Sequence, residues 1–274
     1  MREPPLAPAV DTALADELAA LASQAAAAIL AIRPSTLAPR LKADRSPVTA
    51  ADEASDAVIA AGLARLLPEW PIVSEESSSG PQVLGARFAL VDPLDGTKEF
   101  LAGRTEFTVN IALVHNGKPM AGFIAVPALG LLYRGVVGRG AERLHIAPGA
   151  LPSKATAITA IKARPRPIDG LVATVSRSHI EPASEAFLKR LPVRERLACG
   201  SALKFCRIAE GSADVYPRLS PTCEWDVAAG HAIILAAGGT LTTPAGGPMT
   251  YGHGDAEFRV PGFVAWGDPA AAGY

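Results

Sequence analysis

Val91-Asp92-Pro93-Leu94-Asp95-Gly96-Thr97 is the stretch on which the reading of this chain turns. The apolar run from Arg87 to Asp92 has the pattern of a strand and delivers its last residue, a carboxylate, onto a tight turn. Pro93 fixes its own backbone, and Gly96 admits conformations that other residues avoid. Asp92 and Asp95, three apart, can then face one point, with the carbonyl of Leu94 between them. Thr97 adds a hydroxyl at the start of a helical turn. Carboxylate, carbonyl and hydroxyl oxygens are what a hard divalent cation takes, and magnesium among them keeps waters for chemistry. An ordinary Asp-Pro/Asp-Gly turn is spelled with the same letters, so the stretch alone leaves both readings open.

Working outward, other carboxylates fall at comparable places. The short strand Pro71 to Ser74 ends in Glu75-Glu76, so several acids can gather at one sheet edge. Thr49 and Asp52 have the N-cap spacing of a capping box, and Asp226 heads the apolar helix that begins at Trp225. Capping explains Asp52 and Asp226 as well as a metal site does. The helix after Thr49 shows Ala54, Val58, Ile59, Leu63, Leu66 and Leu67 on one face and stops at Pro68. An earlier helix spans Val10 to Ile32, and a polar loop covers Lys42 to Pro47. Beyond the acidic turn, Phe107 to His115 and Met120 to Val126 flank Asn116-Gly117-Lys118-Pro119 as a hairpin, and Leu131 to Val137 is a further strand. The first half therefore reads as two helices against an antiparallel-rich sheet.

Ile146 to Gly170 changes character, with Pro148, Pro152, Pro165 and Pro167 among Lys162, Arg164 and Arg166. It reads as a solvated connector. Past it the pattern alternates. Strands are expected at Leu171 to Ser176, Val193 to Ala198, Ala213 to Leu219 and Thr240 to Thr243. Helices are expected at Glu181 to Leu191, Ser201 to Glu210 and Trp225 to Ala237. Such alternation predicts an α/β unit. The expected division is 1–147, with most of the acids, and 148–274, an α/β half carrying Asp226.

The bulk properties narrow the function. The chain has 274 residues, 49% of them hydrophobic, and a net charge of -1. It can bury a sizeable core, and it lacks the basic balance of a nucleic-acid-polymer or acidic-membrane binder. An anionic substrate would have to be drawn by local groups or bound cations. The three cysteines, odd in number and without C-x-x-C spacing, suggest free thiols in a reducing cytosol rather than a disulfide or zinc framework. No P-loop or Gly-rich kinase loop is present, which disfavours transfer from ATP. The N-terminus has no signal-like core, and the most apolar run, Ala25 to Ile32, falls short of the ~20 residues of a membrane span. A cytoplasmic protein without a transmembrane segment is expected. A peripheral place at the inner membrane face and a homodimer are left open.

Two signatures go further. VDPLDGTKEF (from Val91) and EWDVAAGHAIILAAGG (from Glu224) resemble those of the inositol monophosphatase-like superfamily of metal-dependent phosphatases. SPVTAAD, IVSEES, EFTVNIALVHNGKP, VSRSH and GSALKFCRIAEGSADVYPR are similar to the bacterial CysQ type, the 3'(2'),5'-bisphosphate nucleotidases. The resemblance runs from about Lys42 to the final signature. It implies a layered αβαβα sandwich of the inositol monophosphatase/fructose-1,6-bisphosphatase type, mixing an α+β half with an α/β half. It implies that Glu75, Asp92, the Leu94 carbonyl, Asp95 and Asp226 hold two or three Mg²⁺ ions, and that Asp52 with Thr97 activates the attacking water. It assigns Gly96, Thr97, Ser176, His179, Gly200 and Lys204 to the substrate. The implied reaction is removal of the 3'-phosphate of 3'-phosphoadenosine 5'-phosphate, giving AMP and phosphate, a by-product recycled in sulfur assimilation. An inositol or sugar monophosphatase with the same metal chemistry is the alternative, and a non-catalytic anion- or metal-binding protein stands behind both.

Overall fold

The structure is a computed structural model, and it describes residues 10–32, 40–41, 47–77, 84–177, 181–253 and 258–272. Five layers follow from how apolar faces pair. The outer layer is α1 (Thr12–Leu30) against α2 (Ala50–Leu66). Asp11 caps α1 by accepting from Leu14 N–H at 2.8 Å, and Leu18, Leu21, Ala25 and Ile29 recur at threes and fours as its buried face. By length and composition α1 is also apolar enough to cross a membrane, a property not apparent from the shorter run Ala25 to Ile32. Its buried face packs on the sheet beneath, as a core helix does.

Two short strands, β1 (Arg40–Leu41) and β2 (Pro47–Val48), pair on their own. Residues 42–46 of the expected polar loop lie outside the described residues. The second layer is a seven-stranded sheet in chain order: β3 (Ile72–Ser74), β4 (Arg87–Asp95), β5 (Thr108–His115), β6 (Lys118–Val126), β7 (Leu131–Val136), β8 (Gly140–His145) and β9 (Ala157–Ile161). Only β3 and β4 run parallel, and the rest are antiparallel. A five-residue helix, α3 (Thr97–Leu101), follows β4. The connector expected at 146–170 is therefore partly strand, and the first sheet runs past residue 147 to Ile161. The strand β9 escaped the pattern because Ala157 to Ala160 are all exposed, which leaves no alternation to see.

The middle layer is α5 (Leu203–Ala209) and α6 (Glu224–Ala236). The helix α6 lies across β4 to β7 on the face opposite α1, and a Cβ on Gly122 of β6 would strike the backbone of Ala229. Glycine there is a condition of helix and sheet touching. The fourth layer is a five-stranded mixed sheet. It orders β11 (Val193–Cys199), β10 (Leu171–Ser176), β12 (Val215–Arg218), β16 (Phe263–Trp266) and β14 (Thr240–Thr242). A two-stranded pair joins β13 (Thr222–Cys223) to β15 (Arg259–Val260). The last layer is α4 (Pro182–Leu188), packed on β12. One apolar cluster spans both halves, joining Phe88, Leu90 and Val114 of the first sheet to Phe205, Ile233 and Phe263 of the second half. Burying each such side chain contributes ~1.5–3 kcal/mol, so the halves are held by a common core and meet with little freedom.

Candidate active site

The acidic stretch is built as a bulge at the end of a strand, where the sequence suggested a turn. Asp92 pairs with Asn110 of β5, and Asp95 pairs with Thr108, so β4 takes three steps where β5 takes two. Without the extra residue, positions three apart would point to opposite faces of the sheet. With it, Asp92 and Asp95 share a face. Ser55 of α2 donates to the Pro93 carbonyl at 2.7 Å and pins the bulge from outside. Gly96, at φ +93°, turns the chain into α3, and a Cβ there would strike Ser201 Oγ from the second half.

Glu75, Asp92 and Asp226 each offer an oxygen within 4.8 Å of the others. Glu75 is set beside β4 by its N–H, which donates to the Val91 carbonyl at 3.1 Å. Asp92 is buried, and burial pushes its carboxyl well above the usual range, with Glu75, Asp95, Asp226 and Asp52 pushing it further. Burial first and Asp226 second raise Asp95 to about 6, while Lys204 and Arg218 pull it back. Four acids that raise the pKa of a fifth are a donor set lacking positive charge. Carboxylate oxygens in this arrangement fit a hard divalent cation.

Asp52 and Asp226 both cap their helices and both face the site, so the two explanations are compatible. Asp52 Oδ2 accepts from Thr49 N–H and Oγ1 at 2.8 and 2.6 Å, while its Oδ1 accepts from Thr97 Oγ1 at 3.0 Å. Asp226 Oδ2 accepts from Thr222 Oγ1 and, at 3.3 Å, from Cys223 N–H. The Leu94 carbonyl, at 3.3 Å from Thr97 Oγ1, is the more distant of the two acceptors within reach of that hydroxyl's single hydrogen. Burial, then Asp226, pushes the Cys223 thiol up to about 12, which makes it a poor nucleophile.

A cavity of about 420 Å³ opens over these groups, lined among others by Asp95, Thr97, Ser176, Gly200, Lys204 and Asp226. It shares Ser176, Lys204, Tyr216 and Arg218 with a second cavity of about 240 Å³ beside α4. Lys204 is held rather than free. It is 5% exposed, its Nζ donates to the Ser201 carbonyl at 2.7 Å, and it lies 5.2 Å from the centre of the Tyr216 ring. The Gly200 N–H, expected to face substrate, donates to Glu106 Oε2 at 2.9 Å. Glu106 also receives both forks of Arg177, at 2.7 Å each. His179 lies outside the described residues. The sequence reading missed Arg218, whose Nε is buried without a partner, and the latch between Glu106 and Arg177. Arg218 closes a strand after Pro217, and a basic residue at the end of an apolar strand was the available signal.

An acid-lined cation site between two α/β layers defines the class. The Inositol monophosphatase family profile matches residues 10–260, and the chain belongs to that family. The 3'(2'),5'-bisphosphate nucleotidase CysQ of Escherichia coli (strain K12) is 41% identical over 225 residues, covering 81% of this chain and 86% of that protein. The crystal structure of CysQ from Bacteroides thetaiotaomicron superposes with a TM-score of 0.73 at 36% identity, covering 92% of this chain and 96% of that one. An inositol monophosphatase from Thermotoga maritima shares the fold at a TM-score of 0.74 and 22% identity.

Proposed function

We propose that this protein is a magnesium-dependent 3'(2'),5'-bisphosphate nucleotidase that removes the 3'-phosphate of 3'-phosphoadenosine 5'-phosphate to give AMP and phosphate. The observation that carries the reading is the meeting of opposite charges in one cleft. Glu75, Asp92 and Asp226 converge on one point, and Lys204 and Arg218 line the same cavity as Asp95 and Asp226. A substrate with one phosphate to lose and a second to be gripped needs both. The relatives named CysQ support the nucleotide as substrate.

Glu75, Asp92, the Leu94 carbonyl, Asp95 and Asp226 would hold two or three Mg²⁺ ions, which when bound neutralise phosphoryl charge and acidify water. The rest is done by the chain. Thr97 gives its hydrogen to Asp52 Oδ1, which leaves an oxygen lone pair to accept from a water in the cleft. Asp52, fixed at both oxygens, takes the proton that the attacking water sheds through Thr97. Gly96 brings the Thr97 turn against Ser201, and Ser201 Oγ donates to the Asp95 carbonyl at 2.9 Å, so the two walls are set in register. Ser176 and Lys204 lie where the two cavities join and would meet the ribose and the second phosphate. The likeness to the relatives named CysQ is what assigns Gly200 and His179 to the substrate, His179 lying outside the described residues. We assign the chain to the cytoplasm, on the strength of three cysteines that are all free.

The test is phosphate release from 3'-phosphoadenosine 5'-phosphate, inositol 1-phosphate and an aryl phosphate, with Mg²⁺ and with EDTA. The expected result is preference for the bisphosphorylated nucleotide and no turnover in EDTA. A wide preference for inositol phosphate would retain the metal chemistry and reject the nucleotide.

A further inference from the structure

Asn110 has no part in the chemistry above, yet its surroundings are unusual for a core position. It lies on β5, 1% exposed, and neither its Nδ2 nor its Oδ1 has a hydrogen-bond partner. A buried amide unpaired at both ends is among the costlier arrangements a core can hold, and such a group calls for an explanation. The apolar row around it makes the choice of asparagine sharper. On the same sheet face Ala112 and Val114 continue β5, Phe88 and Leu90 continue β4, and Ile124 sits opposite on β6, all in one apolar cluster. A leucine or valine at 110 would extend that cluster.

What sits across the strand from Asn110 is Asp92. Side chains opposed in this way have Cβ atoms about 4.5–5.5 Å apart. The next same-face position on β5 is Thr108, opposite Asp95, and its Oγ1 donates to Asp95 Oδ2 at 3.4 Å. So β5 backs both aspartates of the bulge with a polar residue. Thr108 has its bond, and the amide of Asn110 is idle. Among the described residues Asp92 accepts one hydrogen bond, at Oδ1, from Leu94 N–H at 3.1 Å.

We propose that Asn110 is a positioning residue for the cation site, its Nδ2 donating to the Asp92 carboxylate and its Oδ1 accepting from the hydration water of a bound divalent ion. The inference rests on the metal-site reading above. It explains why an amide is kept in an apolar row: both of its ends find partners when the site is loaded. An outer group of this kind orients the ligand it touches, and its loss typically weakens metal affinity 10- to 100-fold.

The experiment is Asn110→Leu, which keeps the heavy-atom count and branching, read by calorimetric titration with MgCl₂ and by thermal melting of the chelated protein. Thr174→Val is the control, since Thr174 Oγ1 is equally buried and unpartnered but lies on β10 in the other sheet. Asn110→Leu should weaken Mg²⁺ binding about 10- to 100-fold while the ion-free protein melts no lower than wild type. Thr174→Val should leave Mg²⁺ affinity unchanged. Unaltered Mg²⁺ affinity in Asn110→Leu overturns the proposal, and a lower ion-free melting temperature with unaltered affinity identifies a structural amide instead. Should Asn110→Leu not fold, Asn110→Ser is titrated. Weaker binding with unchanged ion-free melting supports the role, and unchanged binding overturns it. Wild-type protein that binds no Mg²⁺ defeats the metal-site reading itself, a result distinct from either.

Discussion

The two walls of the cleft are built by opposite strategies. The carboxylate wall concentrates charge of one sign. Asp92 and Asp95 come from the bulge on β4, Glu75 from the end of β3, and Asp52 and Asp226 from helix caps, and burial first and the neighbouring acids second raise the pKa of Asp92. The cationic wall spreads its charge and occupies it. Lys204 is bonded to a carbonyl and stacked over Tyr216, and Arg177 is paired with Glu106. The first wall is complete only with a cation, whereas the second is nearly complete without a ligand. On the proposed reading the first wall would make turnover depend on a metal, and the second would tune which phosphate ester is preferred.

The largest effect expected is on the first wall. Asp95→Asn should abolish turnover, because it removes a ligand charge from a site where cations supply the chemistry. The same change relieves repulsion from Asp226, so the melting temperature of the chelated protein should not fall. The checks are phosphate release under limiting Mg²⁺ and melting in EDTA. Near-wild-type turnover at limiting Mg²⁺ would remove Asp95 from the site and break the contrast between the walls.

The walls also differ in how far the sequence disclosed them. The carboxylate wall was legible in two steps: Asp92 and Asp95 beside Pro93 and Gly96 at the end of an apolar run are a local pattern, and the resemblance joined Glu75, Asp52 and Asp226 to them. The means was not. A spacing of three suggests a turn, and only the pairing of Asp92 with Asn110 and Asp95 with Thr108 reveals a bulge. Lys204 was assigned to the substrate by the resemblance, but how it is held was not legible: α5 begins only at Leu203, after Ser201 at φ +48°, and the lysine folds back on that turn. The latch between Glu106 and Arg177 joins residues far apart in sequence. Long-range partners leave no periodicity. The alternation of helix and strand disclosed the α/β second half, and the resemblance supplied the layers, while β9 was hidden by its exposed residues and β16, four residues long, by the flanking Gly262 and Gly267.

The next effect belongs to the second wall. Lys204→Ala removes an ammonium beside both cavities. A charge-assisted contact contributes roughly 1.5–3 kcal/mol, or about one to two powers of ten. The value of kcat/KM for 3'-phosphoadenosine 5'-phosphate should fall by that factor, and hydrolysis of a small aryl phosphate should barely change. Arg218→Ala should show the same split, since its Nε has no partner to lose. Equal losses on both substrates would mean that these residues support the fold or the metal site, and the second wall would not be a specificity wall.

The smallest effect concerns the latch that fixes the walls to each other. Glu106, on the loop after α3, accepts from both forks of Arg177 and from Gly200 N–H. The pair is partly exposed, and such pairs are worth about 1 kcal/mol or less. Arg177→Ala should therefore lower nucleotide kcat/KM only several-fold, through KM, with aryl phosphate turnover intact. The bond from Arg177 holds the Glu106 carboxyl below its ordinary 4.5, against the opposing pull of burial. A carboxyl with a depressed native pKa binds fewer protons folded than unfolded. Its contribution is thus full above the ordinary value and is lost as pH falls through the native one. The difference in melting temperature between wild type and Glu106→Gln should be steady from pH 8 to pH 5 and shrink below about pH 4, and high salt should shrink it at every pH. A difference that survives acid and salt alike would mean that Glu106 acts through its bond to Gly200 rather than through charge, and that this single bond is what the latch contributes.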